Sequence, residues 1–194
     1  RRTRPLTGEW VDAYRARFAN RIAEPREIPS EALAPAQPTP VQGEALAKLA
    51  AWREAGNRAG LVVLATGLGK TWLAAFDSRR FARVLFVAHR EEILAQARDV
   101  FRRVRPSARL GSFTGKARDV DVDVLFASIQ TLGRPGHLTR FARDHFAYVV
   151  VDEFHHAAAA TYRRLIEHFA PRFLLGLTAT PERGDGADLL ALCG

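Results

Sequence analysis

Leu61-Val62-Val63-Leu64-Ala65-Thr66-Gly67-Leu68-Gly69-Lys70-Thr71-Trp72 is the stretch that decides the fold of this 194-residue chain. Its apolar start, residues 61–65, reads as a buried strand; two glycines follow, and residues 71–81 have helical length and pattern. In a strand, glycine loop and helix of this kind, Gly67 and Gly69 permit the backbone to turn successive N–H groups inward as an anion nest. The helix start adds its positive dipole end. Lys70 would reach the outer phosphates of a nucleotide and the Thr71 hydroxyl would coordinate Mg2+, so Thr66, Gly67, Gly69, Lys70 and Thr71 form a candidate phosphate site. The general pattern G-x-x-x-x-G-K-[ST] has glycine where this chain has Leu64; the variant Ala-Thr-Gly-x-Gly-Lys-Thr, running directly on from the strand, suits it instead. A plain glycine turn capping a helix, with the lysine in solvent, is the alternative, and the strand before and helix after weigh against it.

Outward from this loop, continuous apolar runs at residues 61–65, 84–88, 122–127, 148–151 and 173–177 alternate with helix-like stretches, including 71–81, 91–104 and 161–169. Continuous rather than alternating polarity marks strands buried on both faces, and the βα order implies a parallel sheet covered by helices on both sides. Sites in such α/β sheets lie at the carboxyl ends of the strands. One such end is Asp152-Glu153-Phe154-His155, straight after the run Val149-Val150-Val151. Asp152 suits a direct or water-mediated partner of Mg2+, and Glu153 suits the base that orients the attacking water. Taken alone, the pair would read as a helix N-cap and a first-turn acid. His155 and His156, adjacent and without a third ligand at metal spacing, do not form a metal site.

The formal net charge of +8 favours a polyanionic partner, although an arginine-rich composition has a genomic explanation of equal weight. Only Lys48, Lys70 and Lys116 are lysines among 29 basic residues, which makes the lysine in the loop informative. Trp10, Val11, Tyr14, Phe18 and Ile22, interleaved with arginines, suggest a basic amphipathic helix within residues 1–24. Five prolines between Pro25 and Pro40 suggest an extended linker, so residues 1–38 are read as an appendage and 39–194 as the main domain. No apolar run approaches a membrane span, and one cysteine, Cys193, forms no internal disulfide. The expected setting is a bacterial cytoplasm, with no membrane partner. The chain starts at Arg1 without any methionine and is expected to be an excerpt of a longer protein.

ATGLGKT at 65–71, DEFH at 152–155 and TATPER at 178–183 occur in order, like motifs I, II and III of the superfamily 2 helicases and translocases. Ala88-His89-Arg90-Glu91 through Gln96, Thr114-Gly115, Ser128-Ile129-Gln130-Thr131-Leu132 and Pro40-Val41-Gln42 add further likenesses. Over about residues 39–188 the chain thus resembles the first RecA-like domain of that superfamily. The likeness is greatest to the branch of type III restriction enzyme motor subunits and related bacterial DEAD/DEAH-box proteins. The resemblance implies an α/β RecA-like P-loop NTPase fold, ATP and Mg2+ as cofactors, and Lys70, Asp152 and Glu153 as the catalytic groups. It further implies that Gln42 bonds the adenine edge, that Arg90, Thr114, Gly115 and Thr131 contact a nucleic-acid backbone, and that His155, Thr178 and Thr180 couple nucleotide state to the bound strand. Phe154 departs from the alanine or cysteine often found in motif II, and Pro40-Val41-Gln42 matches the glutamine motif in part.

The expected function is the N-terminal motor domain of an ATP-dependent DNA helicase or translocase, DNA being preferred to RNA as partner. An RNA helicase motor, a P-loop ATPase that ignores nucleic acid, and a non-catalytic binding module are the alternatives. Because the chain ends soon after motif III, with no second RecA-like domain in it, the fragment alone is expected to bind Mg-ATP weakly, hydrolyse it poorly and unwind nothing.

Overall fold

A computed structural model of the chain describes residues 36–65, 67–154 and 160–179. All of them belong to the larger of the two units into which the chain divides, Pro35–Gly194. The basic helix expected within residues 1–24, most of the proline-rich stretch, and Thr66, His155 and Thr180 lie outside the described residues.

The elements run α1 (Pro40–Glu54), β1 (Ala59–Val63), α2 (Lys70–Asp77) continued by a 3-10 turn (Ser78–Arg80), β2 (Val84–Ala88), α3 (Glu91–Val104), β3 (Leu110–Phe113) and β4 (Val124–Ser128). The single turns α4 (Ile129–Leu132) and α5 (Pro135–Leu138), then β5 (Tyr148–Asp152), α6 (Ala160–His168) and β6 (Phe173–Thr178), complete the order. The six strands form one sheet in the order β1-β6-β5-β2-β4-β3, and each neighbouring pair is parallel. The expected parallel sheet with helices on both faces is what the chain adopts. Among the described residues, no helix is long and apolar enough to cross a membrane.

Every residue of β2, β4, β5 and β6 is buried, which is why their sequences are continuous apolar runs. Within them the faces still alternate. Val84, Phe86 and Ala88 pack with Leu73 and Phe76 of α2 and with Leu94, Ala97 and Phe101 of α3. Leu85 and Val87 pack on the other face with Ile129 and Leu132 of α4 and with Tyr162, Leu165 and Ile166 of α6.

The strand expected at 122–127 is Val124–Ser128, those expected at 148–151 and 173–177 run one residue further, and the helix expected at 161–169 is Ala160–His168. Three boundaries near the glycine loop differ from the sequence expectation for a local reason. The first strand is Ala59–Val63 rather than 61–65, because Ala59 and Gly60 pair with Leu174 and Leu175 of β6; Leu64 donates one more bond, from its N–H to the Thr178 carbonyl (3.1 Å), before the chain leaves for the glycine loop. The following helix tightens into 3-10 geometry after Asp77 and ends at Arg80, so Phe81 is extended. Pro40 does not extend the linker but opens α1 at its first turn, where a missing N–H costs nothing. Thr39 caps that helix through a reciprocal box: its Oγ1 accepts from the Gln42 N–H, and Gln42 Oε1 accepts from the Thr39 N–H (3.0 Å).

At the far end of α1, Arg53 donates two hydrogen bonds to the carboxylate of Asp77, at 2.7 and 2.8 Å. Tyr148 of β5 donates its hydroxyl to the same carboxylate at 2.8 Å, and burial together with Asp77 pushes the phenol well above its ordinary range. The Asp77 side chain has no exposed surface and Arg53 is 14% exposed, its guanidinium 4.8 Å from the centre of the Phe173 ring. Removing one member of a buried pair strands the other charge without compensation. Arg53→Ala is therefore expected to lower the unfolding free energy by about 3–5 kcal/mol, and Tyr148→Phe by about 1–3 kcal/mol, as urea denaturation would measure.

Candidate nucleotide site and strand-facing surface

Because β1, β6 and β5 are neighbours, their carboxyl ends present three groups side by side: the glycine loop after β1, Thr178 at the end of β6, and Asp152-Glu153 at the end of β5. Register fixes the row, since Val63 pairs with Thr178 and Leu177 with Asp152. Neighbouring strands lie about 4.8 Å apart, so the loop and the carboxylates face each other across roughly 10 Å, a span of the size that phosphates and a metal ion fill. Asp152 is 6% exposed, and Thr178 is wholly buried.

The loop has the geometry that its glycines foretell. Gly67 and Gly69 take positive φ, 88° and 81°, and Gly69 is the N-cap of α2, with no side-chain hydrogen bond capping the helix end. The first N–H groups of α2 are thus left for an anion. Lys70 folds back over the loop and donates from Nζ to the Leu64 carbonyl at 3.1 Å. A carbonyl dipole is a weaker partner for an ammonium than a phosphate oxygen, so this bond yields readily to an anion. Nothing lies within 4 Å of where a Cβ on Gly67 would stand, which leaves the open side of the loop accessible. Thr71, the second residue of α2, is half-buried. The donor set and the open loop fit a nucleotide phosphate tail.

Gln42, expected to meet adenine, is 5% exposed and already engaged. Its Oε1 closes the helix cap on Thr39 while its Nε2 donates to the Gly69 carbonyl at 3.3 Å. An amide carries two N–H groups and two lone pairs, so one of each remains for a base. Gln42 is thus a pin between α1 and the phosphate loop.

Glu153 has φ 53°, the single positive φ among the described non-glycine residues. Left-handed backbone costs a residue with a Cβ about 1–2 kcal/mol, and such strain concentrates at functional sites. The next residue explains what holds it there. Phe154 is buried against the sheet and fits because β6 carries Gly176: a Cβ at that position would lie 2.9 Å from two ring carbons of Phe154 and 2.9 Å from Leu61. The phenylalanine that departs from the usual motif is therefore matched by a glycine on the neighbouring strand, and its ring packs there one residue after Glu153.

The remaining sequence candidates cluster on the other half of the sheet, at the ends of β2, β3 and β4. Arg90 is exposed at the N-terminus of α3. Gly115 is exposed and faces the Glu91 carboxylate. Thr114 and Thr131, expected to touch a strand, are instead buried, and their hydroxyls serve the turns. Thr114 Oγ1 accepts from the Lys116 N–H (3.3 Å), and Thr131 Oγ1 lies 3.1 Å from Ser128 Oγ. The groups that actually face outward beside them are Lys116 and Gln130. Gln130 Nε2 donates to the His89 carbonyl at 2.8 Å and lies 3.0 Å from His89 Nδ1, tying the loop that carries Arg90 to the loop after β4. Both had a signal in the sequence, Lys116 as one of three lysines and Gln130 inside the run Ser128–Leu132, but nothing there told buried from exposed.

A family model described as the type III restriction enzyme res subunit matches residues 36–183. The chain belongs to this family. The helicase-named protein IRC3 of Saccharomyces cerevisiae is 31% identical over 153 residues, which cover 69% of this chain and 22% of IRC3. A type I restriction enzyme, the EcoAI endonuclease subunit of Escherichia coli, is 28% identical over 66% of this chain and 17% of its own length. The chain thus spans about a fifth of these curated relatives. Among solved structures, the Sulfolobus solfataricus SWI2/SNF2 ATPase core in complex with dsDNA superposes with a TM-score of 0.64 at 18% identity, over 81% of this chain and 36% of that one. The chain is accordingly a RecA-like domain of the superfamily 2 helicase type, corresponding to the first such domain.

Gly69 is the position where loop conformation and Gln42 meet, since a Cβ there would overlap Gln42 Nε2. In Gly69→Ala, left-handed strain of about 1–2 kcal/mol adds to the loss of that bond, and nucleotide affinity is expected to fall at least about tenfold. Fluorescent-nucleotide titration would check this; unaltered affinity would show that the loop does not depend on its positive φ.

Proposed function

We propose that this chain is the nucleotide-binding motor domain of an ATP-dependent DNA helicase or translocase, residues 39–194 forming the motor and residues 1–38 an appendage. The observation that carries the reading is the facing pair at one end of the sheet: a lysine-bearing glycine loop on β1 and two carboxylates on β5, separated only by β6. Gly67, Gly69, Lys70 and Thr71 would hold the phosphates, Thr71 and Asp152 the magnesium ion, and Gln42 the loop together with the adenine edge. Magnesium when bound supplies charge neutralisation at the transferred phosphoryl group. Lys70 swings from the Leu64 carbonyl to the phosphates, and Glu153 accepts a proton from the water that it orients. Thr178, bonded through its carbonyl to the start of the glycine loop, would relay nucleotide state along β6.

Arg90, Gly115, Lys116 and Gln130 would take the phosphodiester backbone on the β2-β4-β3 half. Backbone contact gives position without sequence reading, as a motor that moves along a strand requires. DNA is preferred because the family and the EcoAI relative are named as restriction enzymes.

The test is ATP turnover by the full-length protein, alone and with duplex DNA, single-stranded DNA or single-stranded RNA. DNA is expected to stimulate it more than RNA. Lys70→Ala is expected to lower turnover by about 10²–10³, and Glu153→Gln by about 10²–10⁴ while ATP still binds. Turnover indifferent to both substitutions would end the assignment of this site, and turnover indifferent to every nucleic acid would leave an ATPase of another kind.

A further inference from the structure

Tyr162 of α6 is 3% exposed and packs in the core with Phe154, Leu165 and Ile166. Its ring explains the burial; its oxygen does not. The hydroxyl has no hydrogen-bond partner, one of two buried side-chain polar atoms of that kind among the described residues. A phenylalanine would fill the same space without burying an unmatched donor, so the hydroxyl points to a partner in some other state of the protein. The charges that bear on this phenol are the carboxylates of Asp152 and Glu153: burial first, then Asp152, then Glu153, push it up to about 12. It therefore stays protonated, as a donor beside two acceptors. A carboxylate has about four lone-pair directions and accommodates a further donor alongside the partners it already has.

We propose that Tyr162 is a positioning residue for Asp152, its buried hydroxyl donating to that carboxylate when the magnesium nucleotide is in place and so fixing the oxygen that faces the metal. The inference rests on the ATP-site reading above. The backbone at Glu153 supplies the means: it is held in strained geometry one residue after Asp152, so a small relaxation there shifts the Asp152 carboxylate. Tyr162 itself is fixed, because α6 is packed through Leu165 and Ile166 and tethered by Arg164, which donates to the Gly133 carbonyl at 3.1 Å.

Tyr162→Phe in the full-length protein removes only the oxygen. Thermal melting without nucleotide is expected at the same or a higher temperature than the wild type, because the hydroxyl has no bond to lose in that state. Binding of a fluorescent ATP analogue is then titrated with Mg2+ and again with EDTA. Affinity in EDTA is expected to stay within about twofold of wild type, while the gain in affinity that Mg2+ brings falls about tenfold, the size of one hydrogen bond to a charged group. An undiminished Mg2+ gain would overturn the proposal, and so would equal losses with and without Mg2+, which mark a packing defect. Wild-type protein that binds no ATP analogue in either condition would instead bring down the ATP-site reading, and this inference with it.

Discussion

The carboxylate of Asp77 sits where solvent cannot reach it, and the arrangement around the nucleotide loop depends on its being matched. Arg53 and Tyr148 give it three hydrogen bonds, and the three residues come from α1, the end of α2 and the start of β5. A buried charge tolerates no vacancy among its partners, so α1 is locked in register along α2. That register is what brings Gln42, at the opposite end of α1, against the Gly69 carbonyl at the start of α2. The helix that follows the glycine loop is thus clamped at both ends by one partner helix. An ion pair at the amino ends of the strands sets the geometry of a loop at their carboxyl ends.

Strand order then divides the labour. β1, β6 and β5 place the phosphate loop, Thr178 and the acid pair in one row, whereas β2, β4 and β3 place Arg90, Gln130 and Lys116 in the other. The two rows meet at the β5–β2 pairing, Val84–Val87 against Tyr148–Val151, all of it buried. Close-packed interiors deform little, so the strands at this pairing hold the two rows at a fixed spacing. The turns that leave the sheet are bonded to one another. Gln130 joins the ends of β2 and β4, and Arg164 joins α6 to the Gly133 carbonyl just after α4. The chain that follows the acid pair is therefore physically linked to the surface assigned to the nucleic acid.

How much of this was legible in the sequence follows from what each signal encodes. The central strands were readable because burial on both faces leaves no polar residue to interrupt the run, and β2 and α3 were bounded correctly to the residue. The edge strand β3 was missed: Leu110-Gly111-Ser112-Phe113 is half-covered, short and contains a glycine, so it has no such run. Helix α1 was missed because its prolines read as linker, although Thr39-Pro40 followed by Gln42 spells a capped first turn. The strand, glycine loop and helix order around residues 61–81 was legible, and Gly67 and Gly69 adopt the positive φ that glycine permits. Burial within motifs was not: Thr114 and Thr131 look like any exposed hydroxyl until the turns they cap are built. The partnership of Phe154 with Gly176, and the bare hydroxyl of Tyr162, are tertiary facts with no local signature.

The basic composition acquires a different meaning once the arginines are placed. Arg58, Arg79, Arg105, Arg143 and Arg164 each donate to a backbone carbonyl, of Pro171, Val104, Ser78, Glu167 and Gly133 respectively, and Arg53 takes the buried carboxylate. The planar fork of the guanidinium suits this work, since it reaches carbonyls at helix and loop ends while its stem covers apolar surface. Part of the arginine content is accordingly structural fastening as well as charge. Among the described residues, the cations at the carboxyl ends of the strands include Arg90 and Lys116 on one half and Lys70 on the other. Lys70 is set where a fork would be a disadvantage. A compact ammonium on a flexible stem rests on the Leu64 carbonyl, and under the proposed function it would turn to phosphate oxygens, an exchange to which a rigid bidentate donor is poorly suited.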